Sequence, residues 1–271
     1  MRKNIVFIAM CLVAGICFSQ NQRIKIDFAG VKGQYGAVSV SPMDGGVTMS
    51  GNRIVLAPKK EEVTYTISGY FDGQIVNKTK NTVIKLKGAY LENTSGEAAL
   101  YGEAKTEVST SKGTVNYIVS QGDSHPKAAA VQCKKNIVFG GSGTLYVVGP
   151  YHGAKGDDVK IKGSGVFYFQ GTEKGSGINC RSLVVEKDKN FTAYFLNSKN
   201  GVKADNTISI ASGTFCFYDN GTALKTDTSQ DDPKEKHGIL ISGGMIRTHG
   251  NKNLYATEKD SFKARVKIVE E

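Results

Sequence analysis

Tryptophan is absent and proline is scarce, with 5 in 271 residues. Scarce proline, with 32 glycines that follow no three-residue period, excludes a collagen-like chain. A charged fraction of 22% and a hydrophobic fraction of 39% exclude wholesale disorder. Long apolar runs are missing except for Ile5 to Ile16, which excludes a multi-span membrane protein. Acidic residues are outnumbered, 25 Asp+Glu against 35 Lys+Arg, for a net charge of +10. The length suits one large or two modest domains.

The N-terminal run reads as a secretory signal peptide over residues 1–19. Arg2 and Lys3 form the basic region, Ile5 to Ile16 the apolar core, and Cys17-Phe18-Ser19 the cleavage site before Gln20. Lipidation of Cys17 is the alternative, disfavoured by the bulky Ile16 before it. A retained anchor would need a longer apolar run, so no transmembrane segment is expected in the mature chain. Losing Arg2 and Lys3 lowers the net charge from +10 to +8. An exported basic protein favours polyanions such as acidic polysaccharide, lipopolysaccharide or anionic membrane, and basicity also serves solubility. Nucleic acid is not expected as a partner, because no nucleic-acid motif is present.

Of the 5 cysteines, Cys11 and Cys17 leave with the signal. Cys133, Cys180 and Cys216 remain. Their spacing matches no zinc pattern and their odd number excludes a complete disulfide framework.

What the chain does have is a repeat. A glycine with a short polar residue or glycine before it opens a β-rich run at Gly113-Thr114-Val115, Gly143-Thr144-Leu145, Gly165-Val166-Phe167, Gly213-Thr214-Phe215 and Gly244-Met245-Ile246. A copy without glycine reads Asn190-Phe191-Thr192-Ala193-Tyr194-Phe195, and a weak early one Gly88-Ala89-Tyr90-Leu91. Aligning the copies puts Val115, Leu145, Phe167, Phe191, Phe215 and Ile246 in one inward column. Tyr117, Val147, Phe169, Ala193, Phe217 and Thr248 form a second, two residues on. The outward position between them then holds Asn116, Tyr146, Tyr168 and Cys216, with Arg247 outward on the last copy. Second strands precede the marker glycine (Ile137-Val138-Phe139, Val159-Lys160-Ile161, Leu183-Val184-Val185, Ile208-Ser209-Ile210, Ile239-Leu240-Ile241). A third segment recurs as Gly153-Ala154-Lys155, Gly177-Ile178-Asn179, Gly201-Val202-Lys203 and Thr222-Ala223-Leu224. Three short strands per repeat, with no helical period, predict an all-β solenoid: a right-handed single-stranded parallel β-helix with an N-terminal β cap. The recurring glycines are expected at corners needing positive φ. The expected organisation is signal peptide 1–19, cap strands 20–62, β-helix 63–260 and a closing strand within 261–271. A polar loop from Asp227 to His237 projects from one corner.

From Thr64 to Asp260 the chain resembles a family of secreted bacterial carbohydrate-binding proteins whose right-handed parallel β-helix is related to pectate lyases. The match rests on Val63-Thr64-Tyr65-Thr66-Ile67-Ser68-Gly69 with Asp72-Gly73, on Gly140-Gly141-Ser142-Gly143-Thr144-Leu145-Tyr146-Val147, and on the corner Gly201-Val202-Lys203-Ala204-Asp205 with the strand after it. The resemblance implies polysaccharide binding. It also implies corner carboxylates able to hold Ca²⁺, but His152, Asn200 and Asn220 stand where the family places Asp. Asp157, Asp158, Asp205, Asp231 and Asp232 remain as metal candidates, with solvated turn acids the ordinary alternative; no cofactor is required and Ca²⁺ is optional.

Catalysis by a polysaccharide lyase would need a held Ca²⁺ and a base, for which Arg181 and Arg247 are the candidates. His125, His152, His237 and His249 show no metal spacing. Binding has more support. Outward Tyr146 and Tyr168 are expected to be neighbours able to stack on sugar rings. Lys160 and Lys162 can pair with uronate carboxylates, and Tyr151 and His152 extend the patch around the corner. The expected function is that of a secreted, periplasmic or surface-exposed polysaccharide-binding protein favouring acidic glycans. The alternatives are a structural protein or adhesin, and a polysaccharide lyase. Oligomeric state is not legible.

Overall fold

The computed structural model describes residues 22–32, 36–43, 45–59, 62–122, 127–227, 238–256, 262–264 and 268–270. The expected signal peptide, most of the Asp227–His237 loop with Asp231 and Asp232, and His125 lie outside the described residues. The described chain is all β, with no helix, and its strands pair almost entirely in parallel. Among the described residues, no helix is long and apolar enough to cross a membrane.

The strands fall into three strips. In each, a strand pairs with its counterpart from the next repeat, an arrangement compatible with a solenoid. The first strip is built on Ile137–Gly141 and the later parts of the long strands His152–Ile161, Ser176–Val185 and Asn200–Ile210, with Ile137, Val159, Leu183, Ile208 and Ile239 in register. The second takes Val115–Ser120, Thr144–Val148, Val166–Gln170, Thr192–Leu196, Thr214–Tyr218 and Met245–His249, with Leu145, Phe167, Ala193, Phe215 and Ile246 in register. The third takes Ala129–Cys133 and the opening halves of the same long strands, then Thr222–Thr226 and Asn253–Ala256. There Val131, Ala154, Ile178, Val202 and Leu224 align. Alternation sends one set of each strip inward, and these columns are almost wholly buried. Phe195 stacks on Phe169 at 5.5 Å and on Phe217 at 4.8 Å. Such pairs add about 0.5–1.5 kcal/mol each to their burial.

At the N-terminal end Gln22–Ala29 pairs in parallel with the strand Val63–Asp72 and antiparallel with Val38–Ser41. Val47–Ser50 and Arg53–Leu56 form an antiparallel hairpin whose second strand pairs with Gln74–Asn77. At the other end Phe262–Ala264 and Ile268–Glu270 extend the first and second strips.

Two copies sit out of the register expected from sequence. Leu145 pairs with Asn116, not Val115. Val115 is 49% exposed, while Asn116 is fully buried. The turn carries the extra residue: Gly113 takes φ 72°. The Asn116 amide fills the inward position with hydrogen bonds. Its Oδ1 accepts the Gly88 and Ala89 N–H groups (2.9 and 3.1 Å), and its Nδ2 donates to the Thr144 carbonyl and Thr114 Oγ1 (both 3.0 Å). In the copy lacking glycine, Ala193 rather than Phe191 aligns with Phe167 and Phe215. Phe191 precedes the strand and packs edge-on against Phe167 and Phe215 at 6.0 and 5.6 Å.

The marker glycines also divide. Gly213 and Gly244 hold positive φ. Gly143 does not; a Cβ there would lie 2.2 Å from the Ser111 carbonyl oxygen, so it is needed for close approach of two chains.

Candidate functional site

The outward register of the second strip carries a row of tyrosines. Tyr70, Tyr90, Tyr117, Tyr146, Tyr168 and Tyr194 are paired in sequence along it. The ring centroids are 5.6, 4.9, 4.9, 4.3 and 4.7 Å apart, and Tyr218 follows Tyr194 at 6.3 Å. Strand spacing sets this distance, because like residues at one register position stand about 4.8 Å apart. From Tyr117 to Tyr194 the rings lie within 6–11° of parallel. Their faces are therefore turned to each other, and what they offer outward is ring edges and hydroxyls. Tyr146 and Tyr168 are neighbours, but the face-on stacking of a sugar expected from sequence has no room between them. Burial, and then the adjacent Tyr146 and Tyr194 hydroxyls, push the Tyr168 phenol upward. Asn116, expected outward in this row, is inside; Cys216 holds the outward register yet is covered. Arg247 continues the row after Cys216, its Nε 3.2 Å from Met245 Sδ.

Lys160 and Lys162 do not join the tyrosines. They stand on the first strip, where Lys160 pairs with Glu186 at 3.3 Å and Lys162 with Glu107 at 2.9 Å. Arg181 is held by both carboxylate oxygens of Asp158, at 2.9 and 3.1 Å.

The third strip gathers the positive charge. Its outward register runs through Gln132, Lys155, Asn179, Lys203 and Lys225. Lys155 borders three adjoining hollows on this face. Lys199 and Lys225 border the next, a 770 Å³ hollow toward the C-terminal repeats. The middle hollow, about 320 Å³, is bordered among the described residues by Lys127, Lys155, Lys174, Lys199, Lys203 and Lys225 and by one carboxylate, Asp205. Lys203 is ion-paired with Asp227 at 2.9 Å. That pairing draws the Asp227 carboxyl below its ordinary range. Burial pushes the Asp205 carboxyl up.

Tyr151 and His152 form the corner between the second and third strips and border the same hollow. Their rings meet edge-on at 4.7 Å. His152 is only 6% exposed. Its Nδ1 accepts the Ser176 backbone N–H at 3.1 Å, which places the ring proton on Nε2. Burial, and then the charges of Lys155, Lys203 and Lys127, push the imidazole down to about 4, so it is neutral near pH 7. A Cβ on the neighbouring Gly175 would lie 1.6 Å from the Tyr151 carbonyl oxygen, so only glycine permits this corner.

The described metal candidates, Asp157, Asp158 and Asp205, do not form a metal-holding group. Among the described residues no three His, Cys, Asp or Glu side chains gather in a metal-holding group. Asp158 is engaged by Arg181, while Asp157 and Asp205 border one hollow together with Lys134, Lys155 and Arg181. Cys133, Cys180 and Cys216 are buried and none is in a disulfide among the described residues; burial pushes Cys133 and Cys180 up, away from thiolate.

The lysine strip is not apparent from the sequence pattern alone. Lys155 and Lys203 each end a recurring third segment, and Lys225 follows another, which places them at one register position; that recurrence is the signal that could have found them. Tyr117 and Tyr194 escape notice because the register slips hide them.

The fold and this face define a class: a protein whose described residues are helix-free and mostly parallel-stranded, with a lysine-rich outer strip beside a tyrosine row. The chain belongs to the family of carbohydrate-binding domain-containing proteins, whose model matches residues 54–193. No curated protein sequence matches it. A solved structure, the polysaccharide lyase-like protein from C. thermocellum as a gadolinium derivative, superposes with a TM-score of 0.54. That protein is 18% identical, and the match covers 92% of this chain and 97% of the other. Likeness at that identity bears on the fold alone.

Proposed function

We propose that this chain is a secreted polysaccharide-binding protein with a right-handed parallel β-helix fold, and that it favours acidic, uronate-containing glycans. One observation carries the acidic preference: the lysine-rich outer face of the third strip, where Lys155, Lys203 and Lys225 share one outward register. Ammonium groups spaced along one strip suit a polymer bearing a carboxylate on each sugar. Several weak, solvent-screened ion pairs add up along such a chain where one would not hold. The hydroxyl edges of Tyr146 and Tyr168, around the corner past Tyr151, supply hydrogen bonds to sugar hydroxyls. Arg247 ends that row with a further cation.

The test is affinity electrophoresis of residues 20–271 in gels containing polygalacturonate, neutral β-glucan or no polysaccharide. Polygalacturonate is expected to retard the protein most, with the retardation falling as salt rises through about 0.15 M, where the screening length is near 8 Å. Equal mobility in all three gels overturns the reading. Formation of unsaturated product on incubation would assign a lyase instead.

A further inference from the structure

We infer that the hollow around His152 is a discrete oxyanion site, in which the neutral imidazole donates its Nε2–H to one anionic oxygen while the surrounding lysines hold the charge. The inference deepens the proposed function, on which it rests for the source of the anion.

Three observations converge on this hollow. The first is its charge: among the described residues six lysines and one carboxylate, Asp205, border it, with Asp227 outside pairing Lys203. The second is the tautomer: the Ser176 N–H occupies Nδ1, so Nε2 carries the proton. The third is the partner of that proton. Among the described residues nothing accepts it, although the side chain is almost wholly withdrawn from solvent and belongs to the wall of the hollow. Nor is Nε2 sealed away, since among the described residues the fully enclosed polar side-chain atoms without a partner are Thr226 Oγ1 and Asn251 Oδ1. A buried ring N–H that opens onto a cationic hollow calls for an acceptor with negative charge.

Burial first, and then the lysines, keep the imidazole neutral when the site is empty. Lys155 on its own strand, Lys203 on the next, and Lys127 before the preceding strand all oppose a fourth positive charge. Lys174, Lys199 and Lys225 border the same space, and Asp205 is the carboxylate among them. An oxyanion in the hollow cancels that repulsion, so its arrival favours imidazolium and binding takes up a fraction of a proton below neutral pH. The oxyanion is either the carboxylate of a uronic acid or a free inorganic anion.

The experiment is a histidine NMR titration of residues 20–271, with signals assigned by His152→Gln, using galacturonate, inorganic phosphate and glucose as separate probes. Galacturonate is expected to shift the His152 resonances and to raise the pH at which the ring titrates by about one unit; glucose is expected to do neither. A phosphate response without a galacturonate response assigns the site to free anions. Lys155→Gln, which leaves the imidazole in place, is expected to weaken the galacturonate response about tenfold, and a melting curve checks that each variant is folded. No His152 response to either anion, in protein still retarded by polygalacturonate, overturns this inference and leaves the proposed function standing. A His152 response to phosphate in protein that no polysaccharide retards does the reverse.

Discussion

Exchanging the roles of Asn116 and Val115 is the sharpest test of the register. Asn116→Leu keeps the branched shape of the inward side chain and replaces the amide with two bulkier methyl groups, so no cavity opens. What it removes is four hydrogen bonds. The Thr114 hydroxyl and the exposed Gly88 N–H can turn to water. The Ala89 N–H cannot, because Ala89 is 1% exposed. Stranding a buried donor costs about 1–3 kcal/mol, and the remaining groups add about 1 kcal/mol more. The expected loss is therefore about 3 kcal/mol, which lowers Tm by about 6–12 °C in a chain of this size. Val115→Ala removes methyls from a side chain already half in water and is expected to cost less than about 1 kcal/mol. Guanidinium denaturation followed by circular dichroism, beside a thermal scan, compares the two variants. If Val115→Ala is the more damaging, Val115 points inward and the pairing of Asn116 with Leu145 is wrong.

Three further outcomes follow from the same structure. Phe217→Ala, which empties a buried position stacked on Phe195 at 4.8 Å, is expected to cost about 3–5 kcal/mol by denaturant titration; a loss under about 1 kcal/mol contradicts its place in the core. His152 is held at about 4 in the fold against an ordinary 6.5, so folding favours the neutral ring. Its contribution of roughly 3 kcal/mol is full above pH 6.5 and is lost as pH falls toward 4; the Tm of His152→Gln is expected to fall less steeply over that window, and parallel curves would refute the assignment. Tyr146→Phe with Tyr168→Phe keeps the stack and removes two hydroxyls, so Tm is expected to move by less than about 3 °C while retardation by β-glucan weakens. The double alanine variant should lower Tm by more, since each broken stacked pair costs about 0.5–1.5 kcal/mol.

Much of the fold was legible because side-chain alternation has a period of two and the apolar residues recur at every repeat. The third segments ending in Lys155 and Lys203 fall into register as their alignment predicts. The copies at Asn116 and Ala193 do not, and each slip has a local cause. A buried asparagine satisfied by backbone groups reads as a surface residue in any hydropathy pattern. A phenylalanine ahead of its strand, packing edge-on from the turn, mimics the inward column. Each slip also hides an outward tyrosine, so a row running from Tyr70 to Tyr194 reads as an isolated pair. Of the site, Tyr151 and His152 are found because they sit at a corner. Lys160 and Lys162 group with the tyrosines in sequence, although the strips carry them to another face, where Glu186 and Glu107 hold them. No linear spacing reveals that a tight turn lies between two such positions.

The central claim is that the lysine strip holds an acidic glycan. Lys155→Glu tests it most directly, because Lys155 borders three of the adjoining hollows and reversing its charge leaves the inward column untouched. Retardation by polygalacturonate is to be measured for this variant and for Lys160→Glu on the first strip. The account predicts that Lys155→Glu loses at least tenfold in affinity and Lys160→Glu less than threefold. Equal losses, or retention by Lys155→Glu at full strength, would contradict it.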